Sequence, residues 1–177
     1  MGDYRPKLEQ RVVRHLARIA LLLLVALVQT ALAPSMWGFR IEWVLVAVIC
    51  WTLLRGLAAG LGWAIPGGLA LDILNPLPLG SHLLGLLLSV IAVAVTTDGF
   101  PRDNRLIPTI TVLTVSLLYA GTLGLIMSAT GRPVAWSRYP VTVMVPGALA
   151  NGAMALPVYL LLERLTRGSR ADIGFEI

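Results

Sequence analysis

The chain has 177 residues, of which 57% are hydrophobic and only 13% are charged, about half the charged fraction of an average soluble domain. A soluble domain of this size leaves too much surface in water to hide so many apolar side chains, so the composition predicts an all-α integral membrane protein. The net charge is +5, but the basic residues flank apolar stretches, which indicates membrane orientation and argues against nucleic-acid binding.

The first predicted element is a cytoplasmic basic segment, residues 1–18, ahead of the first apolar stretch. Apolar residues recur there at helical spacing, with basic residues on another face. Two interpretations stay open: an amphipathic helix lying on the anionic lipids of the inner leaflet, or charges that only orient the chain. The basic residues concerned are Arg11, Arg14 and Arg18.

The apolar stretch that follows resembles a secretory signal, because it ends in Ala31-Leu32-Ala33. Pro34 would directly follow the cleavage point, where proline is a poor substrate. We therefore predict that this stretch is retained as the first transmembrane helix.

Six stretches are apolar enough to cross a membrane. Arg55 separates the second from the third, and the alternative is one long helix with a mid-membrane arginine, at a cost of about 2.5–3.5 kcal/mol. Six spans with the N-terminus inside place eleven basic residues inside and three outside, so the positive-inside rule favours six spans and two cytoplasmic termini. The predicted transmembrane domain is 19–163, followed by a basic tail, 164–177. The spans are 19–39, 43–54, 56–71, 80–97, 106–131 and 139–162.

Residue patterns typical of catalysis are missing from the sequence. It contains neither GxxxxGK[ST] nor HExxH, Cys50 is the only cysteine, and the two histidines are 67 positions apart. Glu42 stands beside Trp43, and we interpret it as part of an interfacial belt. The sequence therefore predicts no enzyme, no cofactor and no metal site.

The most informative segment is 65–88, where an acid in one apolar helix is followed by a Pro/Gly-rich turn and a histidine in the next helix. An acid within a membrane span is a functional candidate, although Asp72 is also close to the end of its helix. The turn 75–80 is short, so the third and fourth helices should be antiparallel neighbours. We predict a hydrogen bond or ion pair between Asp72 and His82 that fixes this outer hairpin; the alternative is that His82 faces lipid headgroups alone.

Small residues that allow close helix packing are concentrated in the third and sixth spans. They serve contacts within the chain or with a partner helix, and the sequence does not separate the two. The candidates are Gly56, Gly60, Gly67, Gly147, Ala148 and Gly152.

The 65–88 segment resembles the signature of the rod shape-determining protein MreD family. That signature is Gly-x-x-x-Asp on a Gly-rich third helix, then a P-L-G turn, then small residues or His opening the next helix. The length, the six spans and the basic termini also fit, whereas Asn75-Pro76 departs from the Ser or Gly often found in the family's turn. The matching positions are Gly68, Asp72, Pro78, Leu79, Gly80 and His82.

The resemblance implies a multi-pass protein of the bacterial inner membrane that is a non-catalytic scaffold of the cell-elongation complex. Its fold would be similar to the substrate-binding subunits of energy-coupling-factor vitamin transporters. The implied partners are an MreC-like single-span coiled-coil protein and, through it, a RodA-type glycosyltransferase, a class B penicillin-binding protein and the MreB filament. The alternative functions are a vitamin-type binding subunit of a transporter and, less favoured, a lipid-handling enzyme.

Overall fold

The computed structural model describes residues 8–32, 40–97 and 106–171. Within these ranges the chain forms six α-helices and no strand, which confirms the predicted all-helical fold. A π-helical turn, Pro140–Met144, leads directly into the last helix. The helices are α1 (Leu8–Leu32), α2 (Trp43–Arg55), α3 (Leu57–Leu74), α4 (Ser81–Thr97), α5 (Ile107–Ala129) and α6 (Val145–Ala171).

Three helical segments are long and apolar enough to cross a membrane, judged by length and composition: Leu57–Leu74, Ile107–Ala129 and Pro140–Thr166. Shorter apolar helical segments are Ile19–Ala31 and Trp43–Arg55, with Ser81–Thr96 as a third. Large hydrophobic side chains on the outside of the bundle are widely exposed, as expected for surfaces that face lipid.

The short helix α2 is the centre of the bundle. It packs against each of the five other helices, and seven of its 13 residues are buried. At 1.5 Å per residue it is about 20 Å long, which is shorter than the hydrocarbon core of about 30 Å. Protein surrounds α2 on its sides, so a helix this short is tolerated and leaves space beyond its first residue.

The sequence left open whether Arg55 lies within one long helix or between two. Gly56 separates α2 from α3 with a φ of +84°, a region that side chains other than glycine rarely adopt, so the two-helix prediction is confirmed. The exposed Arg55 guanidinium lies 5.6 Å from the centre of the Trp51 ring, which stacks on Trp63. A cation–π contact therefore holds the charge at a helix end.

Residues 8–18 of the predicted basic segment form one continuous helix with the first apolar stretch, because α1 begins at Leu8. The two interpretations of this segment, a helix on the lipid surface or charges that only orient the chain, stay predictions. The side chains of Arg11, Arg14 and Arg18 lie outside the described residues.

Small residues bring helices of this chain close together. A Cβ atom added to Gly67 would lie 2.9 Å from Val44 Cγ1, and one added to Gly152 would lie 3.3 Å from Leu113 Cβ. Gly60 packs directly against Thr52 in the same way. Gly147 and Ala148 have a different position, because they line a cavity that is described below.

Candidate functional site

Two polar clusters lie toward one end of the bundle, where α3 and α5 end and α2 and α4 begin. We call it the hairpin end, because it carries the turn 75–80 that joins α3 to α4. Each cluster surrounds the first turn of a helix, where backbone N–H groups have no partner within the helix itself.

The first cluster is formed by Asp72, which is buried in the last turn of α3. Its Oδ1 accepts the backbone N–H of His82 at 2.7 Å. Its Oδ2 accepts the backbone N–H groups of Gly80 at 2.9 Å and Leu83 at 3.3 Å. A carboxylate at a helix N-terminus pairs unsatisfied donors and meets the positive end of the helix dipole. Asp72 of α3 therefore caps α4.

The predicted bond between Asp72 and His82 takes this form: the main chain of His82 donates it, and the imidazole does not. Gly68 lies one turn before Asp72, and a Cβ atom there would lie 2.5 Å from Leu83 Cα. The glycine thus allows α3 and α4 the close approach that Asp72 requires. Gly80 has a φ of +94°, which suits a glycine at the end of the turn.

Two other motif residues complete this turn. The Pro78 carbonyl accepts hydrogen bonds from the backbone N–H and the hydroxyl of Ser81, whereas the Leu79 side chain is largely exposed. A guanidinium from beyond α5 also reaches the turn, since Arg132 donates to the Pro76 carbonyl at 2.6 Å. The family-motif residues are thus grouped around one hairpin. The same hairpin contains Asn75-Pro76, where the chain departs from the family pattern.

The His82 side chain is buried and faces α5. Its Nδ1 shares a hydrogen bond of 2.6 Å with the hydroxyl of Tyr119, while Nε2 makes no hydrogen bond within the described part of the chain. A Cβ atom added to Gly85 would lie 2.8 Å from the Tyr119 ring, so this glycine makes room for the ring. Through Tyr119 the hairpin is connected to the second cluster.

The second cluster surrounds the first turn of α2. The backbone N–H of Glu42 donates to Asn151 Oδ1 on α6 at 2.8 Å. The N–H of Val44 donates to Gln29 Oε1 on α1 at 3.1 Å. The Gln29 amide also donates to Glu42 Oε2, and Asn151 Nδ2 donates to Ser116 Oγ on α5 at 3.1 Å. Side chains from two neighbouring helices therefore cap α2, and α5 completes the network.

Sequence reasoning missed this network. Glu42 was interpreted as an interfacial residue, and Gln29 was assigned no role. The available signal was the presence of isolated amides in otherwise apolar spans, because such groups need partners in a membrane.

A cavity of about 240 Å³ lies next to this network, between α2, α5 and the π-turn with α6. Apolar and small side chains form much of its wall, including Val143, Met144, Gly147 and Ala148. The polar or charged residues that line it are Arg40, Glu42, Ser116, Tyr119, Tyr139 and Asn151.

The cavity is deep. Asn151, which binds the Glu42 backbone, follows the start of the π-turn at Pro140 by 11 residues, or about 16 Å of helix. Tyr119 precedes the end of α5 by ten residues, or about 15 Å. Glu42 therefore lines a recess well inside the bundle, and its place in an interfacial belt stays a prediction.

A second recess of about 310 Å³ lies between α4 and α5, toward the opposite end of the bundle. Its lining is mostly aliphatic, with Thr96, Thr111 and Thr114 among the residues that border it. It offers an apolar surface and few polar groups.

The described residues contain no group of three or more His, Cys, Asp or Glu that could hold a metal ion. Cys50 is buried in α2 and its thiol points at the Ala155 carbonyl, 3.5 Å away. At the hairpin end Asp72 caps α4, whereas Glu42, Tyr119 and Tyr139 line the cavity. This arrangement suits the binding of another molecule.

Among known families, the model of the rod shape-determining protein MreD matches residues 10–165. No curated protein and no solved structure matches the chain significantly.

Proposed function

The chain belongs to the MreD family of rod shape-determining proteins, and we propose that it is a non-catalytic membrane scaffold of the bacterial cell-elongation complex. Membership in the family implies a role in rod shape determination. The scaffold binds an MreC-like single-span coiled-coil protein and, through it, links a RodA-type glycosyltransferase and a class B penicillin-binding protein to cell-shape control.

The proposed topology has six spans in the inner membrane, with both termini in the cytoplasm and the hairpin end outside. The distribution of basic residues supports this orientation. The break at Gly56 supports it further, because Arg55 then lies on the cytoplasmic side, where the rule expects it. In this proposed orientation the cavity lies on the outer side of the membrane. We also propose, from the resemblance alone, a fold similar to the substrate-binding subunits of energy-coupling-factor vitamin transporters.

The observation that carries the proposal is the deep cavity beside the start of α2. A partner with one transmembrane span and an outer coiled coil has a segment that joins the two. This segment must lie at the outer face of the membrane. Gly147 and Ala148 line the cavity, and a Cβ atom on Gly147 would meet only the Arg40 carbonyl, at 3.8 Å. A partner segment can therefore approach α6 closely at this position.

The experiment is copurification from a mild detergent, with the full chain tagged and the MreC-like protein coexpressed. Gly147→Trp fills the cavity and should remove the partner. Leu149→Trp is the matched control, because Leu149 is exposed on the lipid side of the same helix and should leave binding unchanged. Size-exclusion chromatography of both variants checks that the bundle is intact.

Two results would contradict the proposal. One is an intact Gly147→Trp protein that retains the partner as well as the wild type does. The other is a wild-type chain that copurifies with an ATPase pair or a tightly held vitamin in place of the coiled-coil protein, as expected of a transporter subunit.

A further inference from the structure

One oxygen of the Glu42 carboxyl group is available to bind a ligand in the cavity. Its Oε2 accepts the Gln29 amide, and no hydrogen bond to Oε1 occurs among the described residues. The neighbouring amide of Asn151 binds the Glu42 backbone, and Gln29 binds both Val44 and the carboxyl group. Glu42 is thus held from two helices, its backbone by α6 and its carboxyl group by α1, and one carboxyl oxygen is available.

The other polar groups of the cavity are already used within the chain. Both polar atoms of the Asn151 side chain are bonded, one to Glu42 and the other to Ser116. The Tyr139 hydroxyl donates to the Ala120 carbonyl at 3.0 Å, and the Tyr119 hydroxyl is shared with His82. The cavity therefore presents a carboxyl oxygen together with aromatic rings, whose faces attract cations.

A carboxylate in an apolar setting is costly unless an opposite charge compensates it. Arg40, two positions before Glu42, also lines the cavity and is largely exposed. It is the basic residue among the described lining residues, and its positive charge attracts the Glu42 carboxylate.

We propose that the cavity receives a basic side chain, an ammonium or guanidinium group, from the partner protein and that Glu42 is the acceptor that anchors it. The inference rests on the proposed scaffold function and names the chemistry of its contact. The cavity has room for one long side chain, and the carboxyl group with the two tyrosine rings supplies an ion pair and cation–π contacts.

The test measures binding of the full chain in lipid nanodiscs to the coexpressed single-span partner. Glu42→Gln keeps the hydrogen bond with Gln29 and removes the charge, and it should weaken binding at least about tenfold, as truncation of a desolvated charge pair does. Glu163→Gln makes the same chemical change near the opposite end of α6 and should leave the affinity unchanged. Arg40→Gln removes a competing positive charge and should keep the affinity or raise it.

A charge exchange identifies the group that binds. Glu42→Lys should abolish binding, and replacing one Lys or Arg beside the partner's span with Glu should restore it. The inference is overturned if Glu42→Gln binds as tightly as the wild type, or if Arg40→Gln alone abolishes binding, which would indicate an acidic ligand. In both cases the wild type still binds and the scaffold proposal stands, whereas a wild type that never binds the partner contradicts the scaffold proposal itself.

Discussion

The starts of α2 and α4 meet the same physical requirement in different ways. Each begins inside the bundle with backbone N–H groups that need acceptors. At α4 a single carboxylate, Asp72, serves three donors that are 8 to 11 residues away. At α2 two neutral amides serve one donor each, from positions 15 and 109 residues away. The first solution is local and charged, and the second is assembled from distant helices.

The comparison shows which kind of contact a sequence reveals. A charged residue within an apolar helix stands out in the sequence. A short turn after it restricts its partners to the start of the next helix. A glutamine and an asparagine in separate spans are compatible with many pairings, and only the packed bundle selects one. We therefore expect mutations at the junction of α3 and α4 to lower the free energy of unfolding more than mutations at the start of α2.

The largest effect is expected from Asp72→Ala. The change leaves one buried and two partly buried N–H groups without their charged acceptor, and bonds to charged groups contribute about 1.5–3 kcal/mol each. The free energy of unfolding in detergent should fall by roughly 3 kcal/mol, measured by denaturant titration. Ile73→Ala is the control, because Ile73 is 73% exposed and should change little. A loss equal to that of the control would show that Asp72 does not cap α4.

Gly68→Ala tests whether close packing makes that cap possible. The new methyl group would meet the backbone of Leu83, which cannot rotate away as a side chain can. We expect a loss of about 2 kcal/mol from forced separation of α3 and α4. Gly62→Ala on the same helix meets nothing within 4 Å and should be neutral. Equal stability of the two variants would mean that α3 and α4 do not need this contact.

The smallest effects are expected at the start of α2. Gln29→Leu and Asn151→Leu should each cost about 1 kcal/mol, because hydrogen bonds between membrane helices contribute little individually. Both side chains bind Glu42, so the double variant should lose less than the sum of the single losses. Strict additivity in this double-mutant cycle would indicate two independent caps and no shared network.

The helical fold, the number of helices and the break near Arg55 were predictable. Long apolar stretches, and the charged residues that separate them, are visible in the sequence itself. The pairing of Asp72 with the start of α4 was also predictable in outline, since a short turn forces adjacent helices together. The exact donor was not, because a histidine offers both a ring and a main chain. The position of Glu42 beside the cavity could not be predicted, because it depends on a contact with Asn151, 109 positions away, and no local pattern records that contact.

The bond between Glu42 and Asn151 also has a consequence for biosynthesis. The two residues are 109 positions apart, so a ribosome that adds about 5–20 residues per second makes the second roughly 5–20 s after the first. Throughout that interval α2 is in or near the membrane, and the backbone N–H of Glu42 at its start lacks its acceptor on Asn151. The central helix can settle only when the last helix arrives, and a chain truncated before α6 would leave an unfinished bundle for membrane quality control to degrade.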